Sequence, residues 1–303
     1  MNIIGETLTT AIPGSVALLY PALGELISER TGVTNLGTEG SMLSGALAGI
    51  AVTLATGNPV LGVLAAAVAG AACAAVHALA VVLRGANQLA SGLVIWFLAL
   101  GVTSVLGSPL NGKIVDPLPG LRIPGLASIP GIGPALFDQN ALVYAAYLLA
   151  PAIWLFLTYT RTGLALRATG ERPAVVFAGG HNPTALRFSA TTVGGALAGL
   201  GGAQLALGIV GNWANGMTNG YGFVAVAVVI FARWTPLGVV AGSYLFGVAL
   251  ALASVIQANG IGVNQYLLDS LPYAVTIIVL VLVSRFGRSN APESQRDALS
   301  ETV

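Results

Sequence analysis

Long apolar windows separated by turn residues are the dominant pattern along this chain. Asp, Glu, Lys and Arg are absent from residues 40–83, 85–112, 188–232 and 234–268. A helix that crosses a bilayer needs roughly 20 mostly apolar residues, so the first and third windows are long enough for two crossings each. Division at turn residues predicts nine helices, near residues 7–27, 34–56, 59–83, 86–107, 140–159, 188–210, 219–234, 236–257 and 267–284. The pattern predicts an all-α polytopic membrane protein with about nine transmembrane helices, some of them broken, and leaves eight or ten open.

Composition supports the membrane class. Only 8% of the 303 residues are charged and 55% are apolar, whereas soluble domains carry roughly a quarter of their residues as charged side chains. The same values exclude a disordered chain. A net charge of +1 offers no cationic field for a nucleic-acid partner. The single cysteine, Cys73, excludes an internal disulfide.

The distribution of basic residues predicts the orientation, because Lys and Arg in short loops are retained on the cytoplasmic side. Alternation of nine spans assigns Lys113 and Arg122 to one side. The ten other basic residues fall on the opposite side, and they are Arg30, Arg84, Arg161, Arg167, Arg172, Arg187, Arg233, Arg285, Arg288 and Arg296. We therefore expect the N-terminus outside and the C-terminus in the cytoplasm. Residues 1–10 contain no Lys or Arg, so the first helix is expected to be retained and not cleaved as a signal peptide.

Two long connections interrupt a single transmembrane domain predicted over residues 1–285. The external one, residues 108–139, contains six prolines and is expected to be an irregular cap. The cytoplasmic one, residues 160–187, contains four arginines and predicts a short helix that begins at Pro173 and ends at Gly179 and Gly180. Residues 286–303 are polar and predict a disordered cytoplasmic tail.

Motifs for catalysis or cofactor binding are weak. Residues 107–114 spell most of a phosphate-binding loop, but Ile114 stands where magnesium binding requires Ser or Thr. Cys73 and His77 share a helical face, yet a metal site needs three or four ligands, so a hydrogen-bonded core histidine is the favoured interpretation. We therefore expect no catalytic residue, no metal and no cofactor in this chain. Glycines four apart, as in Gly45/Gly49 and Gly195/Gly199, predict close helix packing.

Glu39 is the most informative charged residue. It lies inside the second predicted span, where an ionised side chain is costly unless it faces protein or water. The stretch from Asn35 to Gly40 combines polar groups with glycines that favour an unwound helix beside a cavity. The alternative is an interfacial glutamate paired with Arg30. For Asn212 and Trp213 an interfacial position is favoured over contact with a ligand.

Three stretches resemble those of a known family. Residues 29–43 (ERTGVTNLGTEGSML) resemble the E-R-x-G-V-x-N-I-G-x-E-G-x-M-L signature of ABC importer permeases of the nucleoside and simple-sugar group, relatives of ribose and branched-chain amino acid permeases. Residues 163–173 resemble the cytoplasmic G-x-x-x-R-A-x-G-E-x-P loop of these permeases, and residues 222–238 resemble their late G-F to W-x-P-x-G stretch. The sequence departs from the pattern at Val224, Ala232 and residues 179–181.

The resemblance implies partners and sites. ATP and magnesium would be bound by partner ATPase subunits, an external lipoprotein would deliver the substrate, and a second homologous permease would form the other half of the pathway. The implied coupling helix for the ATPase comprises Glu171, Arg172, Pro173, Ala174, Val175, Val176, Phe177 and Gly179. The candidate pathway residues are Asn35, Gly37, Glu39, Gly40, Asn212, Trp213 and Phe223.

The resulting hypothesis is a non-catalytic permease subunit of an ATP-driven importer for nucleosides in the bacterial cytoplasmic membrane. Import of simple sugars or related small solutes by the same mechanism is the nearest alternative. A secondary transporter that uses Glu39 to bind a proton or sodium ion is a second alternative, and a membrane scaffold without transport activity is a third.

Overall fold

The computed structural model describes residues 3–129, 132–260, 262–264, 267–268, 270–271, 274–275, 277–279, 281 and 292–293. The helices are α1 (Ile3–Glu29), α2 (Thr38–Thr56), α3 (Pro59–Ala78), α4 (Gln88–Gly107), α5 (Gly133–Phe137), α6 (Ala141–Tyr159), α7 (Arg161–Glu171), α8 (Pro173–Ala178), α9 (Pro183–Ala203), α10 (Tyr221–Phe231) and α11 (Pro236–Ala258). α3 and α9 continue into π-helical turns, Leu79–Leu83 and Gln204–Val210. Strands β1 (Gly120–Arg122) and β2 (Asp138–Asn140) pair antiparallel.

Six helices in the described part of the chain are long and apolar enough to cross a membrane, which confirms a helical multi-pass class. They are Thr7–Glu29, Pro59–Leu83, Gln88–Leu110, Ala141–Tyr159, Pro183–Val210 and Pro236–Ala258. Two predicted spans are shorter than expected, because α2 begins only at Thr38 and α10 has 11 residues. The predicted helix at residues 267–284 and the tail at 286–303 lie mostly outside the described residues.

The centre of the bundle is formed by α1, α2, α3 and α9, whose backbones approach closely at glycines. A methyl group on Gly45 of α2 would lie 2.5 Å from the Cα of Gly199 of α9, and one on Gly70 of α3 would collide with the carbonyl of Gly195. α1 meets α9 in the same way, because a methyl group on Gly194 would lie 2.7 Å from the Gly24 carbonyl oxygen. The glycine spacing therefore serves packing within the chain, as predicted.

The connection between α4 and α6 is more regular than an irregular cap. It contains α5, which has five residues, and the two three-residue strands, whereas its prolines led us to expect only an irregular cap. Backbone hydrogen bonds fix it to the end of α9: the Val115 N–H donates to the Gly211 oxygen over 2.9 Å, and the Leu118 N–H to the Leu207 oxygen over 2.8 Å. Pairing with the end of α9, remote in sequence, gives this segment its order.

The connection between α6 and α9 contains two helices where one was predicted. α8 begins at Pro173 and ends before Gly179, which confirms that helix. α7 was not predicted, because its 11 residues include two glycines and two arginines and only two large apolar side chains. Its start is capped by Thr160, whose hydroxyl accepts a hydrogen bond from the Gly163 N–H over 3.0 Å.

Candidate functional site

Residues 30–37 fold back along α1 before α2 begins. The buried carboxylate of Glu25 organises this segment, because it accepts the Asn35 N–H over 2.7 Å and the Thr38 hydroxyl over 2.9 Å. The Asn35 side chain in turn accepts the Gly37 N–H over 2.9 Å. Since Glu25 lies one turn before the end of α1, α2 starts inside the bundle and not at its end.

Glu39 lies in the first turn of α2 and is only 3% exposed. Its carboxylate accepts the Thr218 hydroxyl over 2.6 Å, the Gly220 N–H over 2.9 Å and the Gly222 N–H over 2.6 Å. Gly220 is the N-cap residue of α10, where N–H groups lack partners within the helix and the helix dipole attracts an anion. Glu39 therefore caps α10 from a neighbouring helix, and the proposed pairing with Arg30 is wrong.

A cavity of about 300 Å³ adjoins this carboxylate. Its lining consists of Glu39, Leu43, Trp96, Leu100, Gly216, Thr218, Asn219, Gly220 and Phe223. The rings of Trp96 and Phe223 meet edge to face, with centroids 4.9 Å apart and planes at 85°. An aromatic wall beside a few polar groups, in a volume near the lower end for small-molecule pockets, is typical of a small-molecule binding site.

Five of the predicted pathway residues lie near this cavity, but only two line it. Glu39 and Phe223 contribute to the lining. Asn35 is buried beside α1, and Gly37 and Gly40 pack against α4, where a methyl group on Gly40 would lie 2.9 Å from an alanine side chain. These three residues shape the segment that carries Glu39.

The two other predicted pathway residues belong to a different contact. Asn111 forms a β-bridge with Trp213, and Ile114 forms one with Asn212. Trp213 is 2% exposed and sits in the main apolar cluster, so its side chain is packed inside the protein. The stretch at residues 107–114 that resembles a phosphate-binding loop thus pairs with the segment after α9.

Sequence reasoning missed most of the aromatic and apolar lining. Trp96, Leu100 and Leu43 lie in spans that look uniformly apolar, and nothing in the pattern distinguishes the helical face that meets the cavity. Trp96 offered one usable signal, since tryptophans in membrane helices concentrate at the interfaces and this one lies in mid-span. Asn219 and Thr218 sit in the short segment before α10, whose approach to α2 is a tertiary contact.

His77 is a hydrogen-bonded core histidine, as favoured from the sequence. Its Nδ1 lies 3.1 Å from the Ser91 hydroxyl and its Nε2 lies 3.2 Å from the Thr34 carbonyl oxygen. Within the part of the chain that the structure describes, no group of three or more His, Cys, Asp or Glu residues is arranged to hold a metal ion.

A second cluster lies where α1 ends and joins α1 to the turn between α10 and α11. The indole N–H of Trp234 donates to the Glu29 carboxylate. The Arg30 guanidinium donates two hydrogen bonds to the Trp234 carbonyl oxygen, over 3.0 Å from Nε and 2.6 Å from Nη2. Arg233 and Trp234 both have left-handed backbones, with φ of 53° and 55°, a conformation that costs an ordinary residue about 1–2 kcal/mol. The hydrogen bonds of Trp234 with Glu29 and Arg30 stabilise this turn.

The same cluster extends to α7. A methyl group on Gly170 would collide with the carbonyl of Arg30, and the Arg187 guanidinium donates to the Thr31 carbonyl oxygen over 3.1 Å. Burial lowers the pKa of Arg30, the charge of Arg167 lowers it further and that of Glu171 opposes both; an arginine nevertheless stays protonated. All three stretches that carry the family resemblance therefore meet at this end of the bundle.

The predicted coupling residues form a compact, partly apolar surface. Glu171 ends α7, Arg172 joins it to α8, and Gly179 follows α8. Val175 and Phe177 are 62% and 73% exposed, whereas Val176 is buried. Glu293, in the predicted tail, contacts this region twice. Its N–H donates to the Glu171 carboxylate over 3.2 Å, and its carboxylate lies 3.5 Å from the Arg172 guanidinium.

Comparison with known proteins agrees with this architecture. The family model described as the permease component of the branched-chain amino acid transport system matches residues 8–283. A putative glucose ABC transporter permease protein, TsgC13 of Haloferax volcanii, is 37% identical, with 92% of each chain covered. The guanosine ABC transporter permease protein NupQ of Bacillus subtilis is 34% identical, with 96% of this chain and 94% of the relative covered.

A third relative, the nucleoside ABC transporter permease protein NupC of Lactococcus lactis, is 35% identical, with 92% of each chain covered. No solved structure matches the chain with comparable significance. The family match includes α2 to α11, and with them the residues around the cavity and the Trp234 turn. This chain therefore belongs to the family of branched-chain amino acid transport system permease components, and it is a membrane-embedded permease subunit of an ABC transporter.

Proposed function

We propose that this chain is the non-catalytic permease subunit of an ATP-driven importer for nucleosides and that the cavity beside Glu39 belongs to the translocation pathway. The observation that carries the proposal is the composition of the cavity wall. Trp96 and Phe223 offer aromatic surfaces for a planar base, and the polar groups of Asn219 and Glu39 line the same space, where hydroxyls of a ribose would find partners. Two of the relatives named above carry nucleoside or guanosine in their names.

Orientation follows from the positive-inside rule. The cluster around Arg30, Arg187 and Arg233 is placed in the cytoplasm, and the connection with Lys113 and Arg122 is placed outside. With nine spans the N-terminus lies outside and the C-terminus inside a bacterial cytoplasmic membrane. The domain extends over residues 1–285, and the tail lies in the cytoplasm.

Partners follow from the family, since an ABC permease works with ATPase and substrate-binding subunits. We assign the ATPase to the surface from Glu171 to Gly179, because exposed Val175 and Phe177 offer apolar contacts on a short helix. ATP and magnesium bind to that subunit and not to this chain. The substrate-binding lipoprotein docks on the external connection at residues 108–139. A second homologous permease completes the pathway, and no nucleic acid is involved.

Uptake into proteoliposomes tests this function. The permease is reconstituted with its cognate ATPase, partner permease and binding lipoprotein, and uptake of tritiated adenosine is measured with unlabelled adenosine, ribose, glucose and leucine as competitors. We expect ATP-dependent uptake that adenosine suppresses and that glucose, ribose and leucine leave unchanged. Trp96→Leu should raise the adenosine KM by roughly tenfold, since stacking on one aromatic ring contributes about 1–3 kcal/mol; Trp154→Leu, outside this cavity, should not.

Each alternative gives a different result in this assay. Uptake of labelled glucose, without adenosine uptake, would show that the substrate is a sugar and not a nucleoside. The 37% identity to a putative glucose permease supports this alternative. Uptake that persists when the P-loop lysine of the ATPase is mutated would contradict ATP coupling and favour a secondary transporter. Wild-type co-purification of the ATPase with a Val175→Asp/Phe177→Asp variant would reject the docking surface.

A further inference from the structure

α10 packs apolar side chains into the main core cluster along its length, and hydrogen bonds hold its two ends. At its start, the Gly220 and Gly222 N–H groups bind the Glu39 carboxylate. Immediately after its end, Trp234 binds Glu29 and Arg30. All three partners belong to one continuous stretch, residues 29–39, which runs beside α10 from end to end. At about 1.5 Å per residue, the 11 residues of α10 form a rod of about 16 Å between these two attachments.

The start of α10 lies against Glu39 of α2. A methyl group on Gly222 would lie 2.5 Å from the Glu39 backbone nitrogen, so the two backbones are in direct contact. Thr218, Asn219, Gly220 and Phe223, all at or next to the start of α10, line the cavity. Any displacement of α10 along its axis therefore changes the cavity wall.

The other end of α10 contacts the loop assigned to the ATPase. Arg30, which holds the Trp234 carbonyl, has its own carbonyl packed against Gly170 at the end of α7. Arg187, at the start of α9, donates to the Thr31 carbonyl next along the chain. A displacement of α7 and α8 therefore reaches Arg30 first and the Trp234 turn next.

We infer that α10 is the element that carries movement of the coupling loop to the cavity, and that Trp234 is a positioning residue that joins it to the Glu29–Arg30 turn. The inference rests on the proposed function, in that it takes residues 171–179 as the ATPase contact and the Glu39 cavity as the pathway. The left-handed backbones of Arg233 and Trp234 mark a strained turn that depends on these contacts for its conformation. This joint, formed by the contacts of Trp234 with Glu29 and Arg30, lies outside the residues that line the Glu39 cavity.

Trp234→Phe tests the joint, because it removes the indole N–H and keeps an aromatic ring. The reconstituted complex is assayed for adenosine uptake and ATP hydrolysis in the same vesicles. We expect the number of nucleosides imported per ATP to fall by at least about fivefold, the lower range for coupling between two sites, with ATP hydrolysis retained. Trp154→Phe, the same substitution on α6, is the matched control and should leave the ratio unchanged.

A second readout does not depend on the substrate. In a Cys73→Ala background, Leu100→Cys places a thiol on the cavity wall, and its modification by a methanethiosulfonate reagent is followed with and without ATP and vanadate. We expect trapping to change the modification rate with Trp234 present and to have no effect with Phe at this position. If the wild-type complex does not import adenosine but this response is lost in Trp234→Phe, the nucleoside function fails and the joint stands.

Three results would refute the inference that Trp234 joins α10 to the coupling loop. They are an unchanged import ratio in Trp234→Phe, an equal fall in the Trp154→Phe control, and a loss of folded protein with a normal ratio in what remains. Should Trp234→Phe fail to assemble, Arg30→Lys replaces it, because lysine keeps the charge but cannot make the two-pronged contact with the Trp234 carbonyl. The same fall in ratio is then expected, and a normal ratio would refute the inference.

Discussion

Two regions of this bundle are held together in opposite ways. α2, α3 and α9 meet through glycines, and Gly45, Gly70, Gly195 and Gly199 leave no room for even a methyl group. α10, by contrast, makes one close backbone approach, at its single glycine, Gly222. It is otherwise held by side-chain packing and by hydrogen bonds at its ends, to Glu39 at the start and through Trp234 at the turn that follows. Backbone contacts of the first kind allow little relative movement, because any shift creates overlap.

We call α2, α3 and α9 the frame and expect it to be rigid. α10, which is held mainly by side chains, is the element better able to shift. Side chains can rotate and exchange hydrogen-bond partners when a helix moves. Helices whose backbones are in direct contact can move only together. The cavity lies where these two regions meet, with Glu39 on the frame and Phe223 on α10. Substitutions in the frame should therefore affect folding, and substitutions at the ends of α10 should affect transport more than folding.

The largest effect is expected in the frame. Gly199→Leu would drive a side chain into the carbonyl of Ala66 and the backbone of Gly70, and overlap of this kind between helix backbones has no local remedy. We expect no folded protein, measured as the monodisperse peak in fluorescence-detected size-exclusion chromatography. Gly101→Leu on α4, where nothing lies within 4 Å of an added methyl group, is the control and should give wild-type yield. A normal peak for Gly199→Leu would show that the helices of the frame can move apart to accommodate a larger side chain.

Removal of the cap on α10 should have the next largest effect. Glu39→Ala leaves the buried Gly222 N–H and the Gly220 N–H without their acceptor, and each unsatisfied group costs about 1–3 kcal/mol. We expect a lower melting temperature in detergent and loss of uptake. Glu39→Gln keeps one acceptor oxygen and should recover the melting temperature in part. If Glu39→Gln imports at the wild-type rate, the negative charge has no role in transport.

A smaller effect is expected when one of the three donors to Glu39 is removed. Thr218→Val preserves the shape of the side chain and eliminates the hydroxyl that lies 2.6 Å from the carboxylate. Because the two backbone donors remain, stability should fall by about 1.5–3 kcal/mol at most, and uptake should fall less than in Glu39→Ala. Thermal unfolding and initial uptake rates measure the two effects. A drop as large as that of Glu39→Ala would mean that the hydroxyl, not the helix start, is the main partner.

The smallest effect concerns Ala232, where the resembling permeases have glycine. Its φ is −67°, an ordinary helical value, and the left-handed positions are the two that follow. Ala232→Gly should therefore reduce stability by only about 0.5–1 kcal/mol through backbone entropy and leave uptake unchanged. The melting temperature and the uptake rate test this expectation. A gain in uptake would indicate that the turn needs more freedom than alanine allows.

The sequence predicted much of the fold because lipid imposes a simple rule on apolar length. The windows around α1, α3, α4, α6, α9 and α11 are visible as charge-free runs, and α8 is visible from Pro173 and Gly179. α7, the short strands and the late start of α2 were not predicted. Their order depends on contacts between different elements, such as Glu25 with Asn35 and Leu118 with Leu207.

For the site, the sequence by itself determined that the Glu39 carboxylate must face protein or water, since an unshielded charge in hydrocarbon is costly. Only the tertiary structure decided what it faces, which is the start of α10 and not Arg30. Local pattern likewise marked Trp234 and Glu29 as members of separate motifs, and folding brought them into one hydrogen bond across more than 200 positions. Apolar length and charge are properties of single segments, whereas partner choice depends on how segments pack, and that information is not contained in any one of them.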